Sequence, residues 1–439
     1  MKQTLRFGLS LIGGVILTCL SAFAQVTTSS ISGKITDAEG VVVGAPVLVI
    51  HQDSGTKYYS VTDKNGTYRV NNITPGGPYS VVIEMLGYRK VETNGIYASL
   101  GETASVNVKL EEEALGLDAA IFVVDGNDSN MNISRAGAGT SISQRTMDAL
   151  PTTSRSMNDI MKLTPQASST SNGLAVGGGN YRSSYVTVDG AAFNNAFGIG
   201  SNLPAGGSPI SLDALEQMSV NITPFDVRHS GFTGGAINAV TKSGTNKWHA
   251  SVYNYFNSDQ LKGDRVGDER VNLSKSLSNT TGITLGGPIV KDKLFFFVNA
   301  EFSPETTPGS TRVARKGEGD KFGGSTSVAR PTEGFLNEVS DYLKKTYDYN
   351  PGRYQDYSVS TPDWKVMARI DWNINKDHKL NVRFSHTVNT YSSAPSNSIS
   401  PFSKKVYDRN NYGRTSEYSM YFENSRYSQN QNFTSAAIE

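Results

Sequence analysis

The sequence predicts a mainly β chain in three parts: a small β-sandwich, a glycine-rich α/β region, and the first strands of an antiparallel transmembrane β-barrel that these 439 residues leave incomplete. Three observations carry that prediction. Short β-rich runs punctuated by turn residues fill residues 30–110. From residue 244 onward, apolar and polar side chains alternate with a period of two. The connections between those alternating runs are by turns long and short. With 37% hydrophobic residues and a mean hydropathy of −0.36, no run after the N-terminus is long and apolar enough for a membrane helix.

The first 24 residues stand apart. Lys2 and Arg6 frame a basic start, Phe7 to Leu20 is an apolar run, and Ala22-Phe23-Ala24 is a small-residue cleavage site. This is the pattern of a secretory signal peptide cut between Ala24 and Gln25, with an apolar core too short for a comfortable membrane anchor. The single cysteine, Cys19, lies inside it, and Ile16-Leu17-Thr18 lacks the small residue of a lipoprotein signal. The mature chain is therefore expected to hold neither a disulfide nor a thiol nucleophile. Losing the leader removes two basic and no acidic residues, so the formal charge of +1 becomes −1. That balance points to no nucleic-acid partner.

Residues 25–112 form the sandwich. Candidate strands are 31–35, 46–52, 57–62, 66–70, 79–85 and 103–110, separated by turns such as Asp53-Ser54-Gly55 and Asp63-Lys64-Asn65-Gly66. A calcium loop centred on Gly66 fails, because Val61 and Asn72 would take the first and last ligand positions. The stretch is expected to be a hairpin turn instead. The ordered motifs GKITDAEG, GAPVLVI, TDKNGTYRV and IEMLGYRK resemble the carboxypeptidase-regulatory-like (transthyretin-like) domain over residues 31–110. That resemblance implies a module that precedes the plug of many outer-membrane receptors of the Bacteroidetes type.

Residues 113–128 are a linker with an acidic lead and the apolar run Ala119, Ala120, Ile121, Phe122, Val123, Val124. As residues alone, a buried strand and a packed linker are both open. With Asp118 in front, the segment resembles the TonB box, an extended stretch with which a periplasmic coupling protein pairs by strand addition.

Residues 129–243 are rich in glycine, serine and asparagine. Met157, Ile160, Met161 and Leu163 have roughly helical spacing, stopped by Pro165. Tyr185 to Val188 and Leu215 to Ile222 read as strands, with Asp189-Gly190 a turn. Gly234-Gly235-Ala236-Ile237-Asn238-Ala239-Val240-Thr241-Lys242 completes the set. In this order the motifs resemble the plug domain of TonB-dependent receptors, across roughly 140–243. His229-Ser230-Gly231-Phe232 brings it closer to the Oar-like branch.

Residues 244–439 give the barrel. Trp364, Val366, Ala368, Ile370 and Trp372 alternate with Lys365, Met367, Arg369 and Asp371; Leu380, Val382 and Phe384 alternate with Asn381, Arg383 and Ser385. Seven strands are expected, at 247–257, 278–288, 292–303, 363–375, 378–390, 414–424 and from near 429. Short turns on one side and long loops on the other are the pattern of an outer-membrane barrel. An odd strand count and a last strand broken off at Glu439 make the chain the expected N-terminal part of a longer receptor.

Catalytic signatures do not emerge. His51, His229, His249, His378 and His386 show no metal-ligand spacing; Gly177-Gly178-Gly179 lacks a phosphate-loop frame; Asp268-Glu269 carries no acid/base signature. No cofactor, no metal and no enzyme activity are expected. The family resemblance implies a receptor in the cell outer membrane, in contact with its lipid and with a TonB-type coupling protein. It would gate import of an extracellular ligand (a glycan, peptide or metal chelate) through its plug, with a surface lipoprotein as a possible companion. Tyr342, Tyr347, Tyr349 and Tyr354, in the long connection 304–362, are either ligand contacts or rim girdle residues. The alternative is a secreted or surface β-sandwich adhesin without transport.

Overall fold

The computed structural model describes residues 27–112, 122–125, 139–150, 155–170, 173–194, 203, 209–222, 234–263, 265–267, 269–270, 275–310, 312–322, 327–376, 378–395 and 420–439. The expected leader, with Ala24 and Gln25, lies outside them, as do Asp118 to Ile121 and His229 to Phe232.

Two sheets face each other in the N-terminal part. One runs β3 (Lys57–Val61), β2 (Pro46–His51), β5 (Gly76–Ile83), β6 (Val91–Ala98) and β9 (Phe122–Asp125). The other has β1 (Ser29–Thr36) between β4 (Thr67–Ile73) and β7 (Thr103–Ser105), with β8 (Val108–Lys109) continuing along β1. Alternation turns Ile31, Ile35, Val49, Tyr68, Ile73 and Tyr79 into the space between them, each at most 1% exposed. Both buried phenols are satisfied: Tyr68 Oη donates to Val106 O at 2.9 Å and Tyr79 Oη to Thr74 O at 2.6 Å.

Two sequence expectations change here. β6 was not foreseen, because VETNGIYA mixes strand formers with Glu92, Asn94 and Gly95. The Asp63–Gly66 turn is not a hairpin: β3 pairs with β2 and β4 pairs with β1, so the turn crosses between sheets. Asp63 Oδ1 accepts from the amides of Asn65 (2.8 Å) and Thr67 (2.9 Å), and Gly66 takes a positive φ. Those bonds tighten the crossing.

The middle region holds a five-stranded sheet in the order β10-β15-β16-β13-β14. Its members are β10 (Gly139–Ser143), β13 (Tyr185–Val188), β14 (Ala191–Ala192), β15 (Leu215–Asn221) and β16 (Ala236–Thr241). A hairpin, β11 (Ala167–Thr170) with β12 (Gly173–Val176), stands beside it. The expected helix is present as α2 (Met157–Met161), capped by Ser156 and buried through Met157, Ile160 and Met161. A further helix, α1 (Gln144–Ala149), has only Met147 buried, so its sequence carries little periodic signal.

The third region is one curved antiparallel wall. Its long strands are β17 (His249–Ser258), β20 (Leu277–Val290), β21 (Leu294–Phe302), β26 (Asp363–Asn373), β27 (Lys379–Ser393) and β28 (Tyr427–Ile438), paired in that order. Tight turns join β20 to β21 and β26 to β27. The other connections carry the extra structure: a small pair, β18 (Arg265–Val266) and β19 (Glu269–Arg270), after β17, and a large excursion after β21. In the excursion β22 (Glu305–Pro308) and β25 (Ser358–Thr361) extend the wall outward, β23 (Val313–Arg315) pairs with β24 (Val328–Thr332), and α3 (Glu333–Tyr347) sits at the top. None of Tyr342, Tyr347, Tyr349 and Tyr354 lies on a wall strand.

The strand expected at 414–424 is corrected. Its described residues are coil and a short 3₁₀ turn, Glu423–Ser425, and β28 pairs with β27 from Ser393↔Tyr427 to Val382↔Ile438. β28 therefore pairs directly with β27 and six long strands are described rather than seven; residues 414–419 of that expectation lie outside the described residues. The barrel is not closed by these strands.

Period-two alternation is strict on β26. Trp364, Val366, Ile370 and Trp372 are exposed on the outer face, whereas Lys365, Met367 and Arg369 are buried on the inner one. The same holds in LFFFVNAEF: Phe295, Phe297, Asn299 and Glu301 point inward and Val298 and Phe302 outward. From Trp364 to Trp372 the apolar face runs roughly 26 Å along the strand. Two tryptophans at its ends match the aromatic girdles of a membrane wall.

Candidate functional site at the plug seat

The sheet of the middle region lies against the inner face of the wall, and their contact combines charged groups with apolar packing at Phe297, Met367 and Phe433. β13 turns into β14 through Asp189 and Gly190, with Val188 paired to Ala191. Both turn residues have positive φ, 50° and 79°, the mirror-image hairpin turn that Asp-Gly favours. The turn carries the Asp189 carboxylate to β16, where Oδ1 accepts from Thr241 N at 2.9 Å and Oδ2 from Thr241 Oγ1 at 2.7 Å.

Two wall arginines close on this turn. Arg383 Nη1 donates to Asp189 O at 2.7 Å and lies 3.6 Å from Oδ1. Arg369 Nη1 donates to Thr241 O at 2.8 Å and lies 3.9 Å from the same Oδ1. The remaining donors are used within the wall: Arg369 Nε and Nη2 bind Asp371, and Arg383 binds Asn381 and Glu439. Arg369 and Arg383 are direct register partners across β26 and β27. Like charges opposite each other destabilise a strand pair, and Asp189 offsets that repulsion.

A second seat lies further along the wall. Glu301 on β21 accepts from Ser211 Oγ of the sheet region (2.7 Å), from Tyr253 Oη (2.9 Å) and from Lys365 Nζ (2.9 Å). Thr387 Oγ1 donates to Pro209 O at 2.6 Å. Phe193 meets Phe433 with ring centroids 4.5 Å apart.

The other residues singled out in the sequence hold the sheet itself. Gly235 allows the close approach of β12: a Cβ there would stand 2.6 Å from Val176 Cγ1. Gly234 N donates to Ser183 O at 3.0 Å. Asn238, 2% exposed, accepts from Thr187 Oγ1 at 2.7 Å across the parallel β13–β16 pair. Of the segment expected from sequence to couple to the periplasmic protein, Phe122 to Val124 form β9 together with Asp125.

The sandwich is seated on the same end of the wall as the tight turns. Asn246 N donates to Asp53 O (2.8 Å), Asn373 Nδ2 to Thr56 Oγ1 (3.0 Å), and Leu100 N to Gln217 Oε1 of β15 (2.9 Å). Lys379 Nζ stands 3.1 Å above the Tyr58 ring. Between sandwich, sheet and wall remains a cavity of about 430 Å³ that reaches Asp189, Arg369 and Arg383.

Family models match two of these regions. Residues 30–111 match a carboxypeptidase regulatory-like domain, and residues 240–432 an outer membrane beta barrel domain. The chain is also 26% identical over 419 residues to the TonB-dependent transporter Oar of Myxococcus xanthus, across 91% of this chain and 37% of that protein. Together these matches support a TonB-dependent receptor. The outer membrane beta barrel domain and the transporter relative support an outer-membrane location. The middle sheet, the region whose sequence resembles a receptor plug and is called the plug below, lies against the inner face of the wall. Among solved structures, it is similar to the siderophore receptor PirA of Acinetobacter baumannii (16% identity, 57% of this chain, 31% of that chain, TM-score 0.39). It is likewise similar to the outer membrane transporter YddB of Escherichia coli (12% identity, 58% of this chain, 33% of that chain, TM-score 0.41). The receptor chain thus spans about a third of these relatives.

Arg369 and Arg383 were not singled out as site residues from sequence. Their signal was present: each is a cation on the inward side of a strand whose other side is apolar. Among the described residues no group of three His, Cys, Asp or Glu side chains is placed to hold a metal ion.

Proposed function

We propose that this receptor chain supplies the periplasmic cap, the coupling segment, the plug and six wall strands of a ligand importer, in which a TonB-type protein pulls on Asp118–Val124 and unseats the plug. The observation that supports this most is the plug seat. The plug is held to the wall by hydrogen-bonded charges at Asp189 and Glu301 in addition to apolar packing. Such contacts are directional and re-form against the same partners, and water entering the gap solvates both sides. A plug fixed by a continuous apolar core alone would lack that reversibility.

The test is uptake. Cells are offered labelled oligosaccharide, oligopeptide and ferric-chelate pools, and the class that accumulates identifies the cargo. Deleting Asp118–Val124 then abolishes accumulation and leaves surface binding of that cargo unchanged. Accumulation that survives the deletion rejects this placement of the coupling segment. Surface binding without accumulation in the undeleted receptor supports the adhesin reading instead.

A further inference from the structure

The sandwich touches both of the surfaces that the plug seat joins, and it does so with different corners. Its β2–β3 turn meets the wall. Asp53 O accepts from Asn246 N at 2.8 Å. Asn246 is itself clipped to the β20–β21 turn, its Nδ2 donating to Asp292 Oδ1 (2.7 Å) and its Oδ1 accepting from Asp292 N (2.9 Å). Gly55 lies so close that a Cβ there would run into the Asp292 carboxylate. Thr56 and Tyr58 continue the contact to Asn373 and Lys379. A second corner meets the plug. Leu100 N donates to Gln217 Oε1 at 2.9 Å, and Leu100 and Val240 cover each other, 2% and 4% exposed. A Cβ at Gly76 would stand 2.8 Å from Glu216 Oε1. The Tyr97 ring lies under the Arg145 guanidinium of α1, 5.8 Å from centroid to Cζ.

We infer that the sandwich is a latch: it rides on the plug and, by gripping the wall turns with its β2–β3 corner, holds the plug in its seat until that corner lets go. This rests on reading the middle sheet as a plug that leaves the wall. The two corners belong to one rigid body, since Ile31, Ile35 and Ile73 between them have no exposure. Two contacts borne by one body reinforce each other, because while one is made the other re-forms intramolecularly. The release point follows from burial. The plug corner holds a buried hydrogen bond and an apolar pair, neither of which water replaces well. The wall corner holds polar bonds at exposed and half-buried sites, where water takes over readily.

Cysteine pairs joined by a short, reducible bifunctional thiol reagent separate the two corners, and Cys19 is the only native cysteine. Thr56→Cys with Asn373→Cys ties the sandwich to the wall; Tyr97→Cys with Arg145→Cys ties it to the plug. The readout is the rate of protease cleavage within the plug of the purified receptor, which tracks how often the plug opens. The wall tether is expected to slow cleavage by about tenfold or more, reversed by reductant, and the plug tether to leave it within about twofold. Without any tether, Asn373→Val with Lys379→Gln loosens the wall corner alone and is expected to speed plug cleavage by roughly three- to tenfold. A plug cleaved at the untethered rate when the wall tether is complete by mass spectrometry overturns the latch. So does a plug tether that slows cleavage as much as the wall tether, which would put the release point at the plug corner. Receptor that shows the expected rates yet accumulates none of the labelled pools supports the latch and rejects the importer reading alone.

Discussion

The sandwich and the plug seat solve the same problem, holding two β surfaces together, by opposite means. Between the sandwich sheets the contact is apolar and close to dry: Ile31, Ile35 and Ile73 have no exposure, and the polar ends of Tyr68 and Tyr79 are bonded internally. Between plug and wall, Asp189 faces Arg369 and Arg383, and Glu301 takes three donors, beside a smaller apolar patch at Phe297 and Met367. An apolar interface is costly to open, since every separated surface is exposed to water. A charged one trades protein partners for water and its net strength is small beside its gross strength. In the proposed importer, one contact persists and the other is released.

The sharpest way to break that contrast is a core deletion. Ile73→Ala removes a fully buried side chain and is expected to cost the sandwich roughly 4 kcal/mol, read as a lower urea midpoint that salt does not restore. A loss below about 1 kcal/mol would mean that the sandwich is not held by its core. At the seat, Asp189→Asn keeps an acceptor for Thr241 but removes the charge between two opposed arginines. The expected loss is about 2 kcal/mol, that of a charge-assisted hydrogen bond, seen as faster protease cleavage of the plug with the sandwich unaffected. Unchanged cleavage would move the retaining role to the Glu301 seat.

The smallest effect is a pH dependence in the sandwich. Burial pushes the His51 imidazole below its ordinary value; nearby Asp53 opposes this and Lys379 adds to it. The unfolded chain then binds the proton more tightly than the folded one, so stability is complete above about pH 6.5 and falls as pH drops below it. Urea midpoints at pH 7.5 and 5.5 should differ in the wild type and differ less in His51→Gln. Equal wild-type midpoints would show that His51 titrates freely.

How much of this was legible in the residues follows from what each kind of order leaves in a sequence. The wall strands were readable because lipid on one side and a filled interior on the other impose a strict period of two, as from Trp364 to Trp372. The Asp189-Gly190 turn was readable because few residues tolerate positive φ twice in succession. The β6 strand was not, since it is recognised by its neighbours β5 and β9 rather than by its own composition. α3 was missed although Thr332 caps it and Leu336 is buried one turn in, because its expected loop carried no competing signal. The expected 414–424 wall strand was decided by register: only the pairing of β27 with β28 shows that no wall strand stands between them. The pairing of Asp189 with Arg369 and Arg383 joins residues nearly two hundred positions apart, which no local pattern records.

The facing pair Arg369 and Arg383 also acts as a proofreading mark. Were β26 and β27 to slip by one residue, every side chain on the slipped strand would change faces. The arginine would then stand in hydrocarbon, at a cost approaching ~2–4 kcal/mol near the bilayer midplane, while Asp189 would lose one of its two cations. A misregistered wall is thus penalised twice, once by the lipid and once by the plug, and the hairpin at Asp189 serves as the gauge against which the two strands are set.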